Sequence, residues 1–193
     1  PPLYKIKQGR SEIYIKDDKE FSTEILRRAM RNIRVEVSNN GAGPKTLDPG
    51  ELQKFLLALE DLTALAPKLE RRLRDARVVE MLLDTALKLD KRDDVTGSRE
   101  DVPDGLAILK RRMEAVGLKP ELSWEEESSS HRLTFLDSPR AERHIGVELF
   151  QSPEYRRFRV IARDISQSNH APFTVARGDA RDEVPDWRTL LET

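Results

Sequence analysis

The sequence predicts an α+β protein in which amphipathic helices, two of them paired as a helical hairpin, pack on antiparallel sheet. Three observations lead there. Apolar residues recur at helical spacing over long runs, from Leu52 to Leu62 and from Leu69 to Leu87. Beyond Pro120 the period drops to two, with Leu122 and Trp124, then Leu133 and Phe135, then Ile145, Val147 and Leu149 alternating with polar residues. Helix starts are also marked, because Asp48-Pro49-Gly50-Glu51 and Ser152-Pro153-Glu154 each combine a capping side chain, a proline and an acid in order.

In chain order, Leu3 to Lys7 and Glu12 to Lys16 read as a hairpin turning at Gln8-Gly9. Asp17-Asp18 then caps a helix to about Ile33, with Phe21, Ile25, Met30 and Ile33 near helical spacing. Arg34 to Ser38 is short and β-branched, which predicts a strand, and Asn39 to Pro44 is a loop by composition. The helix starting at Asp48 carries Leu52, Phe55, Leu56, Leu59 and Leu62 on one face until Pro67 interrupts it. A second helical run from Lys68 to about Leu89 would fold back on the first. The charged stretch from Asp90 to Asp104 reads as an exposed linker and marks an internal lobe boundary at 90–104. Pro103 or Asp104 opens a helix through Leu106, Leu109, Met113 and Val116, and Gly117 closes it. Three meandering strands, a helix from Ser152 through Phe158, Ile161 and Ile165, short strands at Phe173 to Val175 and Asp182 to Val184, and a last helix from Pro185 complete the order.

The net charge of -1 conceals 34 basic and 35 acidic residues, so attraction to nucleic acid has to come from local patches. Cysteine is absent, which excludes disulfides, thiolate metal sites and cysteine nucleophiles. No apolar run reaches the roughly 18 residues of a membrane span.

Three basic groups stand out. Arg71, Arg72, Arg74 and Arg77 lie in one helical run, Lys110, Arg111 and Arg112 in a second, and Arg156, Arg157, Arg159 and Arg163 in a third. Arginine forks match phosphate oxygens and carboxylates alike, so these are the candidate contacts to DNA or to a protein partner. Helical spacing places Arg156, Arg159 and Arg163 on one face, and Arg74 with Arg77 on another. Solvated helix faces with local ion pairs are the rival reading, since Glu70, Asp75, Glu114 and Glu154 sit nearby. Tyr155 is the only aromatic beside a cluster, which disfavours a platform for stacking single strands.

Other chemistry is weaker. Asp17-Asp18, Asp93-Asp94 and Glu125-Glu126-Glu127 read as solvated turns or strand ends. His131, His144 and His170 lack ligand spacing and read as surface histidines. Gly41-Ala42-Gly43-Pro44 lacks the third glycine of a phosphate loop and reads as a turn. Trp124 and Trp187 read as core or interface anchors. No residue is assigned a catalytic or metal-binding role.

Pro1-Pro2-Leu3-Tyr4-Lys5-Ile6-Lys7 followed by Ile13-Tyr14-Ile15-Lys16-Asp17-Asp18 resembles the gyrase B family of type IIA topoisomerases, just beyond the core of the Toprim domain. Glu154-Tyr155-Arg156-Arg157, Phe173-Thr174-Val175-Ala176-Arg177-Gly178 and Trp187-Arg188-Thr189-Leu190-Leu191 resemble segments that follow in that family, and Leu69-Glu70-Arg71-Arg72 resembles an element of its long form. Short-form members join these ends with far fewer residues. With no initiator Met and an opening inside a strand, the chain is expected to be an excised interior piece: a single insert domain over 1–193, joined to its host through 1–18 and 172–193. An insertion must leave and re-enter its host at nearby points, so the strand after Pro2 is expected close to Phe173–Leu191.

The resemblance implies an intact enzyme that supercoils DNA in the cytoplasm, at the nucleoid, using ATP and magnesium bound elsewhere in the enzyme. It also implies gyrase A, the Toprim domain of the same chain and duplex DNA as partners, with no membrane. The family's Glu-Gly-Asp-Ser and Asp-x-Asp segments and its Gln-Arg-Tyr-Lys-Gly segment are missing here, so the segment is expected to brace and hold rather than to catalyse. A stand-alone protein-interaction adaptor is the alternative.

Overall fold

The strand expected at the start of the chain pairs into a hairpin of β1 (Tyr4–Gln8) and β2 (Ser11–Ile15), in which Gly9 takes the turn at φ 59°. The computed structural model describes residues 3–38, 43–139 and 141–193, and all of their side chains except those of Gln8, Ser11 and Asp137. The expectations that rest on Pro2 and on Asn39–Ala42 lie outside the described residues. Among the described residues are seven α-helices and nine strands, every paired strand antiparallel, as an α+β chain requires. The chain divides into two compact units, one of Pro1–Glu60 with Gln167–Thr193 and one of Asp61–Ser166.

In the first unit Asp17 caps α1 (Asp18–Ala29) by accepting from the Glu20 amide at 2.8 Å, and the Glu20 carboxylate reaches back to the Lys16 amide at 2.7 Å. A single 3-10 turn, Met30–Asn32, leads into β3 (Ile33–Val37), so the helix stops short of the Ile33 limit expected for it. Ile33 opens the strand because β-branched residues favour extended backbone. A four-stranded sheet follows in the order β4 (Lys45–Thr46), β3, β8 (Phe173–Arg177), β9 (Ala180–Val184). Val35 lies opposite Val175, and Val37 opposite Phe173. The unit's buried apolar side chains include these four, Leu52, Phe55 and Leu59 from the first half of α2 (Pro49–Leu73), and Trp187 and Leu190 from α7 (Trp187–Glu192). Phe55 meets Phe173 with ring centroids 5.9 Å apart. Residues 33–37 and 173–177 are thus neighbours in space although most of the chain separates them.

The helical hairpin expected around Pro67 does not form. α2 runs unbroken from Pro49 to Leu73. Pro67 is exposed, and the apolar stripe of Leu62, Leu65, Ala66, Leu69 and Leu73 is buried on both sides of it, so packing outweighs the one missing backbone donor. The real break comes at Arg74, which adopts left-handed backbone at φ 57°. Asp75 then caps the short α3 (Ala76–Met81), accepting from the amides of Arg77 and Val78. A helix through to Leu89 is replaced by α3 and a 3-10 turn at Thr85–Leu87, because Asp75 and Asp84 each offer the backbone a side-chain acceptor.

The rest of the second unit follows the expected order with two further changes. The stretch 90–104 is mostly exposed, as expected, but marks no lobe boundary: it lies inside this unit, where Val95 is buried and Thr96 bridges to Ser130. α4 (Asp104–Ala115) ends as expected at Gly117, at φ 84°. β5 (Glu121–Glu125), β6 (Ser130–Ser138) and β7 (Ala141–Ile145) form a meander, with Leu122 opposite Leu133 and Leu133 opposite Ile145. The third strand ends at Ile145 rather than continuing to Leu149. Gly146 begins α5 (Val147–Gln151), whose turn buries Val147, Leu149 and Phe150 together. Ser152 then caps α6 (Pro153–Ile165), accepting from the Tyr155 amide at 3.3 Å.

α4 approaches the 3-10 turn before it closely. A Cβ placed on Gly105 would stand 1.9 Å from the Leu87 carbonyl oxygen. Gly105→Ala is therefore expected to destabilise the second unit by about 3 kcal/mol, since a tight backbone contact has to open. Urea unfolding checks it, with Gly117→Ala costing only about 1 kcal/mol for its left-handed backbone as the reference. Equal losses would show that the contact at Gly105 is not tight.

Candidate functional site

The structure sorts the three basic groups by what their charges already hold. In the group on α4, Lys110 pairs with Glu114 at 2.6 Å, Arg112 pairs with Asp84 at 2.7 Å, and Arg111 is exposed, reaching only the Ala107 carbonyl of its own helix at 3.4 Å. Burial pushes the Asp84 carboxyl up, but the Ala86 amide and Arg112 outweigh it and leave it below the usual carboxylate range.

On α6, Arg157 pairs with Asp61 at 2.9 Å, and Arg156 donates to the Gln151 carbonyl at 2.9 Å. Arg159 does not belong to a surface. Its side chain is 1% exposed and crosses into the core of the second unit. Its Nε donates to Asp90 Oδ1 at 2.9 Å, and its Nη1 donates to the carbonyls of Asp84 at 3.1 Å and of Leu82. Arg163 reaches the same Asp90 oxygen at 3.1 Å. The expected face of Arg156, Arg159 and Arg163 is therefore corrected: six residues of α6 are buried, and Arg159 is one of them, alongside Tyr155 and Phe158. Burial that complete removes it from any DNA or partner contact. Tyr155 adds a second tie by donating to the Leu89 carbonyl at 2.7 Å, and burial pushes its phenol pKa up.

The first group splits as well. Arg77 is held by Asp75 at 2.7 Å and by the Val116 carbonyl at 3.1 Å, and its guanidinium keeps the Asp75 carboxyl low. Arg74 and Arg77 share no helical face, because α2 ends at Leu73 and Arg74 lies in the turn before α3. Arg71, Arg72 and Arg74 are exposed, and their side chains form no hydrogen bond or ion pair among the described residues. Lys68, one turn earlier, is equally exposed and unpaired among them. Sequence reading passed over Lys68. Its spacing to Arg71 and Arg72, three and four residues, was the signal available.

Asp17 caps as expected, and two other groups read as solvated acids turn out to be caps and bridges. Asp17 caps α1, Asp94 accepts from the amides of Asp90 and Lys91, and Glu125 pairs with Arg132 at 2.6 Å. His144 is exposed as expected, but His131 is buried, 2% exposed, with Nε2 3.1 Å from the Ser98 carbonyl and its ring edge-on to Trp124. The meander encloses it beside Val95, so it is a core residue rather than a surface one. Trp187 is buried, as an anchor should be. No group of three His, Cys, Asp or Glu side chains among the described residues is placed to hold a metal ion. No helix among them is long and apolar enough to cross a membrane.

Residues 2–23, which span β1, β2 and the start of α1, match the family model described as the GyrB hook. The chain is also 43% identical over 61 residues, 32% of its length, to the B subunit of the type 2 topoisomerase of Aquifex aeolicus (strain VF5). That match spans 7% of the relative's length. Residues 2–23 are thus similar to the gyrase B hook, and about a third of the chain is similar to part of the B subunit of a type 2 topoisomerase.

Two predictions follow from the charges. Asp90→Ala leaves the Arg159 guanidinium buried without its carboxylate, and a loss of about 3 kcal/mol is expected in urea unfolding. A loss under about 0.5 kcal/mol would mean that the carbonyls of Leu82 and Asp84 suffice. In the first unit, hydrogen bonds from Arg27 and then Arg28 lower the Glu24 carboxyl from its ordinary 4.5 to about 2. Its contribution to stability is complete above pH 4.5 and is lost as pH falls through about 2. Arg27→Gln with Arg28→Gln should flatten stability against pH over that window, and an unchanged profile would contradict the pairing.

Proposed function

We propose that this chain is a non-catalytic element of a gyrase B-type subunit, acting by bracing and holding during ATP-dependent negative supercoiling of DNA. The observation that carries the reading is the hook match over residues 2–23, seated in the same compact unit as residues 167–193. Entry and exit segments that share one unit fit an inserted element. On this reading the first unit is the junction to the Toprim domain, and the second, residues 61–166, is the inserted body. Its partners are the Toprim domain of its own chain, gyrase A and duplex DNA. ATP and Mg2+ act in the intact enzyme, through groups outside this chain, and the enzyme works in the cytoplasm at the nucleoid.

An inserted body with no chemistry should affect coupling and leave the chemical steps. The test replaces residues 61–166 of the intact subunit with a short flexible linker between Glu60 and Gln167. With gyrase A present, intrinsic ATP hydrolysis is expected to persist while supercoiling per ATP falls at least several-fold. Loss of intrinsic ATP hydrolysis in a folded variant, or unchanged supercoiling, would contradict the proposal.

A further inference from the structure

We infer that Lys68, Arg71, Arg72 and Arg74, at the end of α2, form a seat for the phosphate backbone of duplex DNA. This rests on the reading above and says which surface does the holding.

The first ground is availability. The other candidate cations of the second unit are largely engaged: Lys110, Arg112, Arg157, Arg159, Arg163 and Arg77 each hold a carboxylate. Lys68, Arg71, Arg72 and Arg74 hold none among the described residues. Of the carboxylates along this stretch, Asp61 and Asp75 are taken by Arg157 and Arg77, and Glu70, half-buried between Leu69 and Arg71, has an interaction of its own. An exposed cation with only water and mobile ions around it is the kind that gains from releasing counterions on a polyanion.

Geometry is the second ground. Lys68, Arg71 and Arg72 stand three and four residues apart on one exposed stripe, opposite the buried stripe of Leu62, Leu65, Leu69 and Leu73. Such neighbours lie about 5–6 Å apart at Cβ. One strand of a duplex offers a phosphate about every 3.4 Å along its axis. Long side chains at that spacing can each meet a separate phosphate.

Arg74 supplies the third. It closes a 25-residue helix in left-handed backbone, a position that favours glycine. The conformation costs about 1 kcal/mol in a residue with a Cβ, and its side chain makes no hydrogen bond or ion pair among the described residues. Strain kept at an exposed, unpaired arginine points to a use outside the unit. Cations also suit the negative end of a helix, by about 0.3–1 kcal/mol, which is the structural rival.

Phosphate is favoured over an acidic protein surface because the stripe has no anchor. The exposed residues beside it are Ala64 and Pro67, and none of the exposed large apolar residues lies on α2. Protein interfaces centre on buried aromatic or apolar anchors.

The test uses the intact subunit assembled with its partner subunit. Its duplex affinity is measured from low to high salt for the wild type, for Lys68→Glu/Arg71→Glu/Arg72→Glu, for the neutral Lys68→Gln/Arg71→Gln/Arg72→Gln, and for an equal charge reversal elsewhere on the unit, Arg92→Glu/Arg99→Glu/Lys119→Glu. Each phosphate contact contributes about 0.9 to the slope of log affinity on log salt. The proposal expects the glutamine variant to lower the slope by about 2–3 and the affinity at least tenfold at 0.1 M salt, with the control within threefold of wild type. The glutamine variant should keep the helix, which circular dichroism verifies. If its slope stays at the wild-type value, the seat is absent. If instead only assembly with the partner subunit weakens, the stripe binds acidic protein and the proposal is overturned. Should the seat fail while the wild type still supercoils DNA, the accessory reading stands; a wild type without topoisomerase activity removes both.

Discussion

A guanidinium carried into a protein interior has to find partners there, and Arg159 finds them on a stretch of chain about seventy residues earlier. Asp90 supplies the opposite charge, and the carbonyls of Leu82 and Asp84 take further donors. The Leu82 carbonyl lies in irregular backbone between short helices and takes its donor from Arg159, whereas the Asp84 carbonyl also accepts from the Leu87 amide at 3.3 Å. The same residues tie in others. Arg163 shares Asp90, Arg112 holds Asp84, and Tyr155 reaches Leu89. One buried charge thus joins α6 to the turns after α3 and draws α4 in beside them. A nonpolar side chain at position 159 could fill the space but could not satisfy that backbone.

This clamp also explains why charge in this chain misleads a reader of the sequence. The group Arg156, Arg157, Arg159 and Arg163 looks like a basic stripe, yet one member is core, two hold carboxylates on the surface and one donates to the last carbonyl of α5. Helical spacing tells which residues share a face. It does not tell which face is buried when the buried face contains arginine. Tyr155 and Phe158, which flank Arg159, were the available hint. For His131 the alternation of the meander was the hint, since Leu133 and Phe135 continue its inward parity.

Much of the fold was legible because its signals are local. Asp17, Asp48, Ser152 and Gly117 mark helix ends through side chains or backbone freedom that act within a few residues, and all four act as read. The errors came where tertiary packing outvoted a local signal. Pro67 should interrupt a helix, but a continuous buried stripe carries α2 past it. Val147 and Leu149 continue an alternation, but burying them with Phe150 needs a helical turn. The candidate contact surface was half legible: Arg71, Arg72 and Arg74 were visible, whereas their lack of partners is a property of the fold alone.

If the clamp organises the second unit, Arg159 and Asp90 must depend on one another energetically, beyond what either contributes alone. A double-mutant cycle of Arg159→Met and Asp90→Leu, read by urea unfolding of the protein, measures this directly. The account predicts a coupling of about 2–3 kcal/mol, the double variant being far less destabilised than the sum of the single ones. Losses that add within about 0.5 kcal/mol would contradict it and would make Arg159 a space-filling side chain with incidental neighbours.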